Sequence, residues 1–259
     1  MSLDNEASKA LADGVTARGG QVEDALVILC PSFTALTTVH GSIANSSVKL
    51  GGQNMFWEEK GAFTGEVSAA MLLSSGCEFV IIGHSERRGR FGAPDEADLD
   101  DLDAIFGDSD STVNRKVHAA LTAGLKPIIC CGELLSERQA GDTDSVVASQ
   151  IEAALEGVSV SDTSNIIVAY EPVWAIGTGE VCDAGEANRV CGMVRETVAG
   201  VFSQDVADAM RILYGGSVSP DNVEGLMDKE HIDGGLVGGA SLDADSFGAL
   251  IDAAVSSVQ

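Results

Sequence analysis

The residues best suited to chemistry lie in Ala169-Tyr170-Glu171-Pro172-Val173-Trp174-Ala175-Ile176-Gly177-Thr178-Gly179. The apolar run Ile166-Ile167-Val168-Ala169 has the pattern of a buried parallel strand, and a carboxylate stands where that run gives out. Pro172 stops the strand immediately after Glu171. The segment beyond Glu171 is stiff at Pro172 and glycine-hinged at Gly177 and Gly179, the layout of a proton-abstracting base beneath a moving lid. Taken alone, Glu171 reads equally as an exposed strand-end carboxylate, so a base needs partners. His84, in Gly83-His84-Ser85-Glu86-Arg87-Arg88, follows a second apolar run, Phe79-Val80-Ile81-Ile82, and opens a helical turn. A histidine there meets the positive end of a helix dipole, which disfavours imidazolium. Alone, it is more often a satisfied helix-start residue. His40, His118 and His231 have no such setting and read as structural.

Elements must bring these groups together. Residues 3–17 carry Leu3, Ala7, Ala10, Leu11 and Val15 at near-helical spacing, and no strand precedes this expected helix. Apolar, strand-like runs occur at 26–30, 48–51, 79–82, 127–131, 166–169, 212–214 and 235–237, each succeeded by a helical stretch. Regular βα alternation implies a parallel sheet, either doubly wound or closed as a (β/α)8 barrel. A barrel gathers functional groups from many strand ends, whereas an open sheet concentrates them at one switch point. Polar motifs stand just past at least five of these runs, including Gln53-Asn54, Gly132-Glu133, Tyr214-Gly215-Gly216-Ser217 and Gly238-Gly239-Ala240. The α/β class with a (β/α)8 barrel is therefore expected, short of its first strand.

Composition limits the partners. A chain of 259 residues with 45% hydrophobic content supports one domain, expected over 1–259. Forty acidic residues against fifteen basic give a net charge of −25, which argues against nucleic acid or an anionic membrane surface. Any anion site must then be built locally from backbone N–H groups and helix N-termini. Six cysteines without metal-ligand spacing read as reduced thiols, no metal site is expected, and neither a signal peptide nor a membrane span is evident, so a cytoplasmic location is expected. An acidic stretch at about 91–105, flanked by Phe91-Gly92 and Phe106-Gly107, reads as a solvated surface insertion.

Six motifs occur in a fixed order: Gly61-Ala62-Phe63-Thr64-Gly65-Glu66, the His84 motif, Cys130-Cys131-Gly132-Glu133, the Glu171 stretch, Tyr214-Gly215-Gly216-Ser217 and Leu236-Val237-Gly238-Gly239-Ala240-Ser241. Together they resemble the triosephosphate isomerase family over essentially the whole chain apart from the acidic stretch. The resemblance implies a TIM barrel. It also implies interconversion of dihydroxyacetone phosphate and glyceraldehyde 3-phosphate through an enediolate, without a cofactor, in glycolysis and gluconeogenesis. Glu171 would be the base and His84 the neutral electrophile, roles that come from the family and not from spacing. Gly177, Ser217, Gly238 and Gly239 would hold the substrate phosphate, with Glu86 and Cys130 in support. Trp174, Ala175, Ile176, Thr178 and Gly179 would belong to the lid, latched through Glu133 and Tyr214. The loop 53–66 would make a homodimer, Thr64 reaching the partner's site; Met55, Phe56 and Trp57 would otherwise be exposed apolar surface.

One family feature is not found. The family's first strand ends in an Asn-x-Lys pattern whose lysine contacts substrate, whereas Lys9, in Asn5-Glu6-Ala7-Ser8-Lys9, falls within the expected first helix. Loss of one oxyanion-stabilising group typically costs about 100- to 1000-fold in rate, so low turnover is expected of this chain. The alternative expectation is a non-catalytic member of the fold that binds phosphorylated ligands or partners.

Overall fold

Runs rich in Ile, Val and Cys form strands where both faces can be covered. A computed structural model describes residues 2–19, 22, 24–91 and 107–257; the acidic stretch expected at 91–105 lies, beyond residue 91, outside the described residues. The strands are β1 (Ile28–Leu29), β2 (Lys49–Gly52), β3 (Phe79–Ile82), β4 (Lys126–Cys131), β5 (Ile167–Tyr170), β6 (Arg211–Tyr214) and β7 (Gly234–Gly235). They form one parallel sheet in chain order, β1 to β7. Helices α1 (Asn5–Gly19), α2 (Leu36–Ile43), α3 (Ala69–Ser74), α4 (Asp110–Ala123), α5 (Leu135–Ala140), α6 (Thr143–Leu155), α7 (Ala184–Val201), α8 (Gln204–Ala209), α9 (Val223–Met227) and α10 (Ala244–Ser256) surround it. This arrangement is a (β/α)8-barrel fold. Among the described residues it has seven strands, none precedes α1, and β1 does not pair with β7.

The two-residue period of a strand divides the core in two. Phe79, Ile81, Ile128, Cys130, Ile167 and Ala169 make an inner cluster, while Val80, Ile82, Ile129, Val168 and Ile212 face the helices. Each large aliphatic side chain so buried stabilises the fold by roughly 1.5–3 kcal/mol. The last strand lies slightly before the expected 235–237, because glycines carry the pairing while Leu236 only extends it through its N–H to the Tyr214 carbonyl at 2.9 Å.

Helix α1 begins where Asp4 Oδ1 accepts the Ala7 N–H at 2.9 Å, and it buries Ala12 and Val15. It packs against both α2 and α10. Lys9 pairs with Asp13 at 2.6 Å on the exposed side of this helix. On α4, buried Lys116 donates to Asn54 Oδ1 at 2.8 Å and pairs with buried Asp108, tying α4 to the segment after β2. That segment corrects one expectation: Met55 is buried in the helix-facing core, and the apolar surface there is made by Phe63, its ring tilted against that of Phe56 with centres 4.6 Å apart, with Trp57 beyond it.

Candidate active site

Glu171 follows β5 and its backbone N–H is held by the Cys131 carbonyl at 2.7 Å. The side chain is 2% exposed. A buried carboxylate is costly unless its oxygens are satisfied. Here the Ser85 N–H donates to Oε2 at 3.0 Å, the Ser85 hydroxyl donates to Oε1 at 3.3 Å, and His84 Nε2 lies 3.0 Å from Oε1. The ends of β3 and β5 thus bring Glu171 and His84 into contact. Gly132, after β4, makes room: a Cβ at that position would lie 1.8 Å from the Glu171 carbonyl oxygen.

His84 caps a four-residue 3-10 turn, Ser85–Arg88, and its Nδ1 accepts the Glu86 N–H at 3.3 Å. With that nitrogen's lone pair engaged, Nε2 is assigned as the one carrying hydrogen toward Glu171. Burial alone would lower the imidazole pKa, but the charge and hydrogen bond of Glu171, and then the charge of Glu86, outweigh it and hold His84 above its ordinary 6.5. The direction is opposite to that expected from a helix dipole, because a single short turn has little dipole and a carboxylate stands at contact distance. A folded-state value above the unfolded one contributes stability that is fully present below pH 6.5 and is lost as pH rises through the folded value. Glu171→Gln should therefore shift the His84 Cε1 proton titration, followed by NMR, to lower pH. An unmoved midpoint would remove Glu171 as the cause.

Around this pair, Cys130 is fully buried, and burial first, then the Glu171 charge, push its thiol well above the ordinary range. The segment expected to form the lid begins with a 3-10 turn, Val173–Ala175, in which Trp174 Nε1–H donates to Glu133 Oε1 at 2.9 Å; the Tyr170 hydroxyl at the end of β5 donates to the same oxygen at 3.1 Å. Glu133 is buried; desolvation raises its pKa against the lowering by those donors. The Arg138 guanidinium lies 4.3 Å from the Trp174 ring centre and pairs with Glu186 at 2.7 Å. Trp174 and Ala175 are buried, Ile176 and Thr178 half-buried, and Gly177 and Gly179 exposed at the tip. Gly177 adopts φ +71°, a conformation that favours glycine. The Tyr214 hydroxyl is buried without a nitrogen or oxygen partner among the described residues, its polar neighbour being the Cys182 thiol.

The remaining candidates lie past the ends of other strands. Ser217 is exposed after β6, its carbonyl accepting from Asn222 Nδ2 at 3.0 Å. Gly238 and Gly239 follow β7 at the start of the 3-10 turn Gly239–Leu242, where a Cβ on either would meet open space. Glu86 is exposed beside His84. Thr64 is exposed in the loop after β2, and among the described residues no hydrogen bond links it to the Glu171–His84 pair. Motif reading overlooked Ser85, Arg88 and Gln150. Ser85 sits inside the His84 motif and could have been found there. Arg88, in the same motif, donates to the Gly83 carbonyl at 2.8 Å, whereas Gln150 exchanges hydrogen bonds with Gly132 at 2.8 and 3.2 Å, a contact with no local sequence signature.

The family model described as triosephosphate isomerase matches residues 1–254. A triosephosphate isomerase of Geobacter metallireducens is 48% identical over 229 residues, covering 88% of this chain and 85% of its own. That of Symbiobacterium thermophilum is 47% identical over 249 residues, 96% of this chain and 91% of its own. That of Rhodopirellula baltica is 44% identical over 256 residues, 99% and 95% of the two chains. With likeness of this extent joined to a parallel (β/α)8 fold, the chain belongs to the triosephosphate isomerase family.

Proposed function

We propose that this chain interconverts dihydroxyacetone phosphate and glyceraldehyde 3-phosphate, with Glu171 taking the proton from the carbon beside the carbonyl. The observation that carries this reading is the contact of a buried carboxylate with an imidazole whose other nitrogen is already engaged. His84 Nε2–H polarises the carbonyl and stabilises the enediolate oxygen. Exposed N–H groups of Gly177, Gly238 and Gly239, together with the Ser217 hydroxyl, receive the phosphate, and the lid from Trp174 to Gly179 closes over it to exclude water. Glu86 and Cys130 support the pair from either side. No cofactor takes part in this chemistry.

The test is isomerisation of dihydroxyacetone phosphate followed through a dehydrogenase-coupled assay. Turnover lost in Glu171→Gln and His84→Gln is expected. A folded protein that binds phosphate esters but turns none over would overturn the proposal in favour of a non-catalytic binding member. Ser217→Ala should raise KM about 10- to 100-fold with little change in kcat, since a hydrogen bond to a charged group is worth roughly 1.5–3 kcal/mol in ground and transition states alike. A fall in kcat at unchanged KM would place Ser217 elsewhere than on the phosphate.

The whole chain, 1–259, acts as one domain in this proposal. The loop at 53–66 carries the homodimer contact, supported by the exposed Phe63 packed on Phe56, and Thr64 reaches the second subunit's site. Sedimentation at micromolar concentration tests it, a monomer being the overturning result. All six cysteines are free thiols, which supports a reducing cytoplasmic setting. No helix among the described residues is long and apolar enough to cross a membrane. The net charge of −25 favours neither a nucleic acid nor a membrane partner.

A further inference from the structure

Lys49, Lys126 and Arg211 are the first residues of β2, β4 and β6, at the end of the sheet opposite Glu171. On β4 the inner cluster takes Ile128 and Cys130, and on β6 it takes Leu213; on β2 a Cβ at Gly51 would meet Cys30, Ile28 and Phe79 of that same cluster. Two residues back along each strand, the same face is occupied by Lys126, Arg211 and Lys49. These three cations form one layer contributed by alternate strands, beneath the apolar interior. They line a cavity of about 120 Å³ floored by Phe79 and Ile167.

Their placement is unusual for this composition. The chain has 40 acidic and 15 basic residues, so a cation typically finds a carboxylate. In this cavity only Glu78 supplies one, at 2.9 Å from Lys49. The Lys126 ammonium instead stands 5.4 Å from the centre of the Phe79 ring, and Arg211 has no salt-bridge partner among the described residues. With Lys49 paired to Glu78, Lys126 and Arg211 face this concave space without a carboxylate of their own, and a bound anion relieves the repulsion between them. Arginine offers a planar fork and lysine a point charge to an oxyanion. The cavity exceeds the roughly 30 Å³ share of one water several-fold, enough for a tetrahedral group.

We propose that this cavity is a binding site for a small multivalent oxyanion of the phosphate class, separate from the phosphate loops at the other end of the sheet. Bound there, the anion bridges β2, β4 and β6 and stabilises the folded chain by mass action.

The experiment compares inorganic phosphate with chloride at matched ionic strength, because screening alone stabilises so acidic a chain. Phosphate should raise Tm beyond chloride, and the excess should fall by at least half in Arg211→Gln and in Lys126→Gln. Both variants should keep kcat/KM within about two-fold of the parent, so any phosphate held by the opposite loops contributes equally and cancels. In the unsubstituted protein, the Arg211 Nε–H resonance should shift with phosphate in a saturable manner. That second measurement stands if a variant fails to fold. A full phosphate excess retained in both variants, or an Arg211 resonance that responds no more to phosphate than to chloride, would overturn the proposal without touching the isomerase reading.

Discussion

Glu171→Asp should give a folded protein whose kcat is lower by about 100-fold or more, with KM little changed. The shorter side chain withdraws the carboxylate by about one carbon–carbon bond, roughly 1.5 Å. In the parent, Oε1 stands 3.0 Å from His84 Nε2 and 3.3 Å from the Ser85 hydroxyl, and Oε2 stands 3.0 Å from the Ser85 N–H. None of these donors follows the retreat, because Ser85 lies in a 3-10 turn whose Arg88 is anchored to the Gly83 carbonyl and to Asp110. Proton abstraction requires contact range, so displacement acts on the chemical step, whereas the exposed loops that would hold the phosphate are untouched. Steady-state kinetics beside calorimetric binding of a non-reacting phosphate ester separates the two effects. Unchanged kcat in a folded Glu171→Asp protein would remove Glu171 from the role of base.

The strands were legible because burial on both faces writes continuous apolar runs, and Phe79–Ile82 and the greater part of Lys126–Cys131 coincide with the runs read from sequence. Gly234–Gly235 was displaced because glycine carries no burial signal. Strand-end positions for Glu171, His84, Ser217 and Gly238 were legible for the same reason, since a polar residue after an apolar run marks where the sheet stops. The direction of the His84 shift was not, because it depends on a carboxylate that lies 87 positions along the chain and only 3.0 Å away in space. Met55 was misread because loop membership says nothing about which side of the loop faces the core. Ser85 and Gln150 each act through two hydrogen bonds to a partner outside their own motif, Glu171 and Gly132, a relation that neither composition nor periodicity records.

Gly132→Ala should cost at least about 100-fold in kcat/KM while Tm falls only moderately. The added Cβ would lie 1.8 Å from the Glu171 carbonyl oxygen and 2.8 Å from its carbonyl carbon, so backbone must move. Gly132 is gripped by Gln150 on its N–H and carbonyl, and Arg90 donates to the same carbonyl at 3.2 Å. Glu171 is held through its own N–H to Cys131, and the preceding Tyr170 carbonyl receives the Gly215 N–H, each at 2.7 Å. With both sides pinned, the strain of overpacking, typically about 1–3 kcal/mol, is relieved by shifting Glu171 against Ser85 and His84. A shift of about 1 Å is enough to cost two orders of magnitude in rate, although most of the fold is undisturbed. Gly225→Ala supplies the contrast: on α9 a Cβ there meets nothing within 4 Å, and a glycine replaced in an exposed helix gains about 1 kcal/mol. Kinetics and thermal melts on both variants give the comparison. Gly132→Ala with kcat/KM within about three-fold of the parent would show that the contact between β4 and Glu171 is compliant, and that the base is positioned by Ser85 and His84 alone.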